Sequence, residues 1–134
     1  MMKRKILYIS LFCIYIAAVL LLCLMKPTDL PQHDIMIFGI PADKLAHFIM
    51  FMPYPILVYL MFFDRNRSRL LDLCILAVCI AMGIGTAIGT EQLQAMTQYR
   101  TPDINDVYAD MKGMAPGCIG VLIYILIKKR IGQK

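Results

Sequence analysis

The residues of this chain that could do chemistry are concentrated in two short stretches that border long apolar runs. The first stretch holds an acid, a lysine and a histidine within five residues, and the second holds four further acids. Because ionisable groups beside apolar segments are costly, we expect each to have a partner or a function. The candidate ligand-binding residues are Asp43, Lys44, His47, Glu91, Gln94, Arg100, Asp103, Asp106 and Asp110.

The spacing in the second stretch predicts one polar stripe along a helix. Asp103, Asp106, Asp110, Gly113 and Gly117 follow one another at steps of three or four residues, which places them on one helix face. Glycines on such a face mark close contacts between membrane helices. The acids on the same stripe should therefore point into a bundle rather than toward lipid.

The first stretch and the end of the preceding apolar run should join this stripe. Asp43 and His47 are four residues apart and can pair on one helix face, and Glu91 and Gln94 are three apart. Clustered carboxylates can act as general acids or bases. Acids with a histidine also suit Mg²⁺, Mn²⁺ or Ca²⁺. Arg100 offers a bidentate grip on phosphate or carboxylate.

A divalent cation is therefore one candidate cofactor, and its candidate ligands are Glu91, Asp103 and Asp106. A purely structural network is the alternative. In that interpretation Arg100 neutralises an acid of the stripe, and Asp43 caps its helix and orients His47. Because buried ionisable groups in membrane proteins are usually functional, we favour a ligand site and leave catalysis open.

The apolar runs that must position these residues predict an all-α, polytopic membrane protein. The chain has 134 residues, 60% of them hydrophobic, and its mean hydropathy is +0.67. A soluble domain of this size could not bury so much apolar surface. We expect one membrane domain over residues 1–134, a four-helix bundle with helices at about 6–25, 44–63, 70–90 and 105–127.

Proline and small residues refine this picture. Pro53 and Pro55 predict a kink in the second span. Ala81, Gly85 and Gly89, which recur every four residues, predict a close-packing face on the third span. Before the second span, the apolar segment 35–40 is expected to lie along the membrane interface.

Charge predicts the orientation. Of the 14 lysines and arginines, ten fall on the side of both termini and four on the other side. This bias predicts cytoplasmic termini, a multi-pass protein of the cell membrane, and a polar cluster that faces the extracytoplasmic side. The basic residues form no stripe on one face, so a nucleic-acid partner is excluded and the lipid bilayer is the expected partner. An oligomer remains open.

The polar residues also resemble a known pattern. Their order and spacing are similar to those of the VanZ-like membrane proteins, whose pattern is roughly D-K-x-x-H-F, then E-x-x-Q, then R-x-x-D-x-x-D-x-x-x-N-x-x-G. Here the corresponding segments are Asp43-Lys44-x-x-His47-Phe48, Glu91-x-x-Gln94, Arg100-x-x-Asp103-x-x-Asp106 and Gly113. The chain departs from the pattern at Asp110, where the family usually has Asn, and we expect Lys112 to compensate the added charge.

The resemblance implies an accessory protein of the cell envelope, related to tolerance of the glycopeptide teicoplanin. Its extracytoplasmic pocket would bind an envelope lipid, a wall precursor or a lipoglycopeptide. One alternative is a membrane enzyme that acts on a lipid-linked phosphate with a carboxylate-held metal. A proton-coupled transporter is disfavoured, because the acids lie at one end of the spans and do not thread across them.

Overall fold

The computed structural model describes residues 2–25, 36–97 and 101–128, and helices dominate it. Four helical segments are long and apolar enough to cross a membrane: Lys3–Leu24, Ala42–Met61, Arg69–Met96 and Ile104–Ile127. The predicted all-α membrane bundle is confirmed. The elements are α1 (Met2–Leu24), β1 (Met36–Ile37), β2 (Ile40–Pro41), α2 (Ala42–Phe51), α3 (Tyr54–Met61), α4 (Arg69–Met96) and α5 (Ile104–Ile127).

The helices form a bundle in which α5 contacts α2, α3 and α4, while α1 contacts α3 and α4. The main apolar core includes Val19 of α1, Phe51 and Tyr54 beside the α2–α3 junction, and Met114 of α5. Large apolar side chains also cover much of the outer surface, as expected for helices that lipid surrounds. The core therefore lies at mid-bundle, and polar side chains occupy its two ends.

The second span is broken into two helices, where the sequence predicted one kinked helix. Proline has no N–H to donate and its ring clashes with the carbonyl four residues earlier, so α2 ends before Pro53. The helix restarts with Pro53 as its N-cap and Pro55 in the first turn, where a missing N–H costs little. At the end of α2, the hydroxyl of Tyr15 on α1 donates a 2.7 Å hydrogen bond to the Met50 carbonyl.

Helix α4 is longer than predicted. It begins after Ser68, whose hydroxyl accepts the Leu71 N–H at 3.2 Å as an N-cap. It continues to Met96, six residues beyond the predicted end at 90. The added residues include Glu91 and Gln94, whose polar side chains are buried against the bundle. These polar residues therefore belong to a candidate site inside the helix and do not indicate where the helix ends.

The close-packing glycines lie on α5, as predicted, but not where predicted on α4. A Cβ atom on Gly113 would overlap the Phe48 carbonyl of α2, so the two backbones touch there. The predicted face through Gly85 and Gly89 is wrong, because a Cβ on either glycine would meet open space. Helix α4 instead approaches its neighbours at Gly83, two residues away on another face.

A small hairpin precedes α2 in the segment expected at the interface. Strands β1 and β2 pair in antiparallel fashion, with Met36 opposite Pro41. Phe38 and Gly39 form the turn with φ values of 52° and 77°, a left-handed pair typical of tight hairpins. Phe38 is fully exposed, so an aromatic ring projects from the turn at this end of the bundle.

Candidate functional site

One end of the bundle gathers most of the predicted site residues. There α1 and α4 end while α2 and α5 begin, so their polar terminal residues share one region. We call this region the acidic end, and Arg100, a predicted member, lies outside the described residues. The side chains that define it are Asp43, Lys44, His47, Glu91, Gln94, Asp103, Asp106 and Asp110.

Lys44 connects α2 to two acids of α5. Its ammonium nitrogen lies 2.7 Å from Oδ2 of Asp103 and 2.5 Å from Oδ1 of Asp106. The other oxygen of Asp103 accepts the N–H of Asn105 at 2.9 Å, which caps the start of α5. The Lys44 hydrogen bond, followed by that of Asn105, lowers the pKa of Asp103 to about 2. Asp103 is therefore a carboxylate at neutral pH.

His47 reaches deeper and pairs with the residue that departs from the family pattern. Nδ1 of His47 lies 2.9 Å from Oδ1 of Asp110, and these two residues are only 4% and 1% exposed. Nε2 lies 3.8 Å from Oδ2 of Asp106, which is longer than a hydrogen bond. The partner of Asp110 is therefore His47 and not Lys112, whose side chain is exposed on another face of α5.

Glu91 and Gln94 join the end of α4 to its neighbours. Oε1 of Glu91 accepts the backbone N–H of Asp103 at 2.5 Å, which ties the end of α4 to the start of α5. The Gln94 amide donates to the Cys23 carbonyl at 3.0 Å, close to the end of α1. These bonds to backbone atoms position the acidic end.

The predicted metal ligands Glu91, Asp103 and Asp106 are engaged in different contacts. Glu91 accepts a backbone N–H, and Asp103 accepts bonds from Lys44 and Asn105. Within the described ranges, the group that could hold a metal ion consists of Asp43, His47 and Asp106, whose ligand atoms lie within 4.8 Å of one another. It shares one residue with the predicted set. The spacing already indicated that Asp43 and His47 share a face, but not that this face turns toward α5.

Two cavities flank the N-terminal half of α2. The larger, of about 500 Å³, lies between α2 and α5, and Lys44, Leu45, Phe48, Asn105, Tyr108 and Lys112 contribute to its wall. The smaller, of about 310 Å³, lies between α1 and α2, and Asp43, His47 and Cys23 contribute to its wall. The acidic end is therefore accessible from two sides of α2, one with lysines and one with the histidine.

A second charged cluster, which the sequence did not predict, lies at the opposite end. Asp72 of α4 is fully buried and forms an ion pair with Lys128, at the end of α5. Nη1 of Arg67 lies 3.5 Å from Oδ1 of the same aspartate. The available signal was a lone acid two residues into an apolar run, since such an acid needs a buried partner.

Comparison with known proteins identifies the family of this chain. The family model described as VanZ/LLP1 matches residues 12–128, which is nearly the whole described chain. An uncharacterized protein from the fission yeast Schizosaccharomyces pombe is 35% identical over 92 residues, 69% of this chain and 52% of the relative. The chain thus spans about half the length of this curated relative. No solved structure matches it. The chain is a multi-pass membrane protein that belongs to the VanZ/LLP1 family.

Proposed function

We propose that this protein is an accessory protein of the cell envelope that binds the anionic headgroup of an amphiphile in the cavity between α2 and α5. The observation that carries the proposal is the exposed lysine in its wall, Lys112 from the third turn of α5. Lys44, from the first turn of α2, also contributes to the wall, but Asp103 and Asp106 already engage its ammonium group. Phosphates and carboxylates are the groups that an exposed ammonium ion attracts.

The other residues of the cavity wall suit the apolar and polar parts of an amphiphile outside its anionic group. Leu45 and Phe48 offer apolar surface to a chain or ring, while Asn105 and Tyr108 offer polar atoms to a sugar or peptide. A volume of about 500 Å³ is within the usual range for small-molecule sites. An amphiphile that diffuses in the bilayer can enter such a cavity from the side.

The predicted orientation directs the cavity to the extracytoplasmic leaflet. Its ligand would then be an envelope lipid, a lipid-linked wall precursor or a lipoglycopeptide, all of which combine an apolar chain with polar groups. Membership of the VanZ/LLP1 family supports this class, since the resemblance to VanZ-like proteins implies a link to teicoplanin tolerance. Among the three, a phosphate-bearing envelope lipid fits the exposed lysine best.

The binding test is lipid retention by the purified protein. Native mass spectrometry would compare phosphatidylglycerol with phosphatidylcholine on the wild type, on Lys112→Gln and on Lys5→Gln, which removes one charge from exposed α1. We expect preferential retention of the anionic lipid, reduced about fivefold in Lys112→Gln alone, since a lysine near anionic lipid contributes about 1 kcal/mol. Equal retention of both lipids by the wild type would contradict the proposal.

The cellular test measures teicoplanin and vancomycin susceptibility in a Gram-positive host that expresses the chain. Wild type, Lys112→Gln and Asp106→Asn would be compared at equal membrane abundance, established by immunoblot. We expect the wild type to raise tolerance of teicoplanin and both variants to lose the effect. If the wild type leaves susceptibility unchanged while it accumulates in the membrane, the role in glycopeptide tolerance is rejected.

A further inference from the structure

We infer that Asp43, His47 and Asp106 form a binding site for a divalent transition-metal ion of the zinc or manganese type. The site adjoins the cavity between α1 and α2, on the other side of α2 from the proposed headgroup cavity. One ligand atom from each residue lies within 4.8 Å of the others. The inference does not depend on the proposed headgroup site, and the two have separate tests.

His47 is oriented as metal-binding histidines usually are. Such a ring presents one nitrogen to the ion and donates the N–H of the other to a carboxylate or carbonyl. In this protein Asp110 lies 2.9 Å from Nδ1, which favours the proton on that nitrogen and leaves the lone pair on Nε2. Nε2 lies 3.8 Å from Oδ2 of Asp106, too far for a hydrogen bond.

The 3.8 Å separation fits two ligands of a single ion. Ligand atoms that each lie about 2.0 to 2.2 Å from a metal can be no more than about 4.4 Å apart. Nε2 of His47 makes no hydrogen bond to Asp106, yet it lies at a distance from Oδ2 that a shared cation would bridge. Asp43, in the first turn of α2, has an oxygen within 4.8 Å of ligand atoms of both residues, and a small side-chain rotation would bring it into the set as the third ligand.

The two oxygens of Asp106 have separate neighbours. Oδ1 accepts the hydrogen bond from Lys44 at 2.5 Å, while Oδ2 faces His47. Lys44 therefore fixes the carboxylate and leaves one oxygen for a metal, as hydrogen-bonded carboxylate ligands commonly do. In this arrangement Lys44 and Asp110 are positioning residues, and neither contacts the ion.

The chemistry of the ligand atoms indicates which ion suits this position. Since the ligands include a nitrogen as well as oxygens, zinc or manganese is favoured over calcium or magnesium, which prefer oxygen alone.

The adjoining cavity gives the ion a free coordination position. It has a volume of about 310 Å³, which accommodates water or a small ligand group beside His47 and Asp43. Three protein ligands with one open position are typical of zinc sites that bind or activate a further molecule, whereas structural zinc sites have four protein ligands. The inferred ion would therefore be able to accept an oxygen of a ligand in this cavity.

Metal titration of the purified protein tests the inference. After treatment with a chelator, calorimetry in detergent would measure Zn²⁺, Mn²⁺ and Mg²⁺ separately, with circular dichroism to verify the helical fold. We expect one equivalent of Zn²⁺ or Mn²⁺ and much weaker Mg²⁺. Asp43→Asn and His47→Gln should each weaken the binding about a hundredfold or more, and Asp110→Asn about tenfold to a hundredfold.

Asp103→Asn is the matched control, because it removes a neighbouring charge of the same cluster and leaves the inferred ligands intact. It should retain wild-type affinity for the metal. Absence of Zn²⁺ and Mn²⁺ binding by the folded wild type would overturn the inference. Equal losses in Asp43→Asn and Asp103→Asn would also overturn it, because they would indicate a diffuse attraction of cations to acids.

Discussion

His47 and Asp110 form a buried pair, in which Nδ1 of the imidazole lies 2.9 Å from Oδ1 of the carboxylate. The pair joins the second turn of α2 to the second turn of α5. Asp110 stands where the VanZ-like pattern that this sequence resembles has Asn. Either side chain can offer an oxygen to the imidazole N–H, so an amide at this position could make the same contact without a charge.

Substitution of Asp110 should therefore depend on the replacement. Asp110→Asn preserves size and an acceptor oxygen, and we expect it to change the free energy of unfolding by less than about 1 kcal/mol. Asp110→Ala leaves the imidazole unpaired and should cost about 2 to 3 kcal/mol. Chemical unfolding in detergent, followed by circular dichroism, measures both. Equal effects of the two replacements would contradict a hydrogen-bonding role for the carboxylate.

The close contact between α2 and α5 gives a second prediction, which concerns a glycine of α5. Gly113→Ala should lower the unfolding free energy by about 1 to 3 kcal/mol, because the new methyl group meets the Phe48 carbonyl. Gly85→Ala is the control on α4, where a Cβ meets open space. It should be neutral or stabilise by up to about 1 kcal/mol, since alanine has the higher helix propensity. The melting temperatures of the two variants in one detergent check the difference.

The pair between Asp72 and Lys128 predicts strong coupling at the opposite end. Removal of Lys128 leaves the buried carboxylate of Asp72 with the longer contact to Arg67, so Lys128→Met alone should cost about 3 kcal/mol. Replacement of both, as Asp72→Leu with Lys128→Met, should recover much of that loss. A double-mutant cycle of unfolding free energies measures the coupling. If the double variant were as unstable as the sum of the single variants, the two charges would be independent.

The salt bridge between Lys44 and Asp103 predicts a pH dependence. The pKa of Asp103 in the folded protein is about 2, below the value of about 3.9 for an unfolded chain. Its stabilisation is therefore complete above about pH 4 and disappears as the pH falls toward 2. Because 40% of the Asp103 side chain is exposed, solvent screening keeps the energy small, and the titration itself is the better measurement.

Carbon-13 NMR of labelled aspartate in detergent can follow that titration. In Lys44→Gln the pKa of Asp103 should rise toward about 3.9, because its largest source of stabilisation is lost. Lys112→Gln removes an exposed lysine from the same side of the bundle and should leave the Asp103 titration unchanged. An unshifted pKa in Lys44→Gln would mean that Asp103 depends on other partners.

Hydropathy and spacing sufficed for the membrane spans and for the stripe of acids and glycines on α5, because both depend on one helix at a time. The stripe on α4 was assigned to the wrong face, since spacing defines a face but not the neighbour it meets. The end of α4 was placed too early, because Glu91 and Gln94 are polar and yet buried. The polarity of a residue does not reveal whether neighbouring helices bury its side chain.

Contacts between distant segments were the hardest to predict. Lys112 was expected to balance Asp110, but they lie two residues apart on a helix and so point in different directions. His47 takes that role from another helix. Asp72 and Lys128 are separated by 56 positions, and only the packing of α4 against α5 brings them together. Such pairs depend on how whole helices are rotated relative to one another, and no local sequence pattern encodes that rotation.

The break between α2 and α3 has a consequence for the solvation of the backbone. Ten and eight residues make helices of about 15 and 12 Å, so neither crosses a hydrocarbon layer of about 30 Å alone. Their junction must then lie deep in the bilayer, where no water reaches the peptide groups. The phenol of Tyr15 supplies the Met50 carbonyl with the hydrogen bond that water would give at a surface. The first helix therefore supplies, inside the membrane, a hydrogen bond that the second span could not obtain from water.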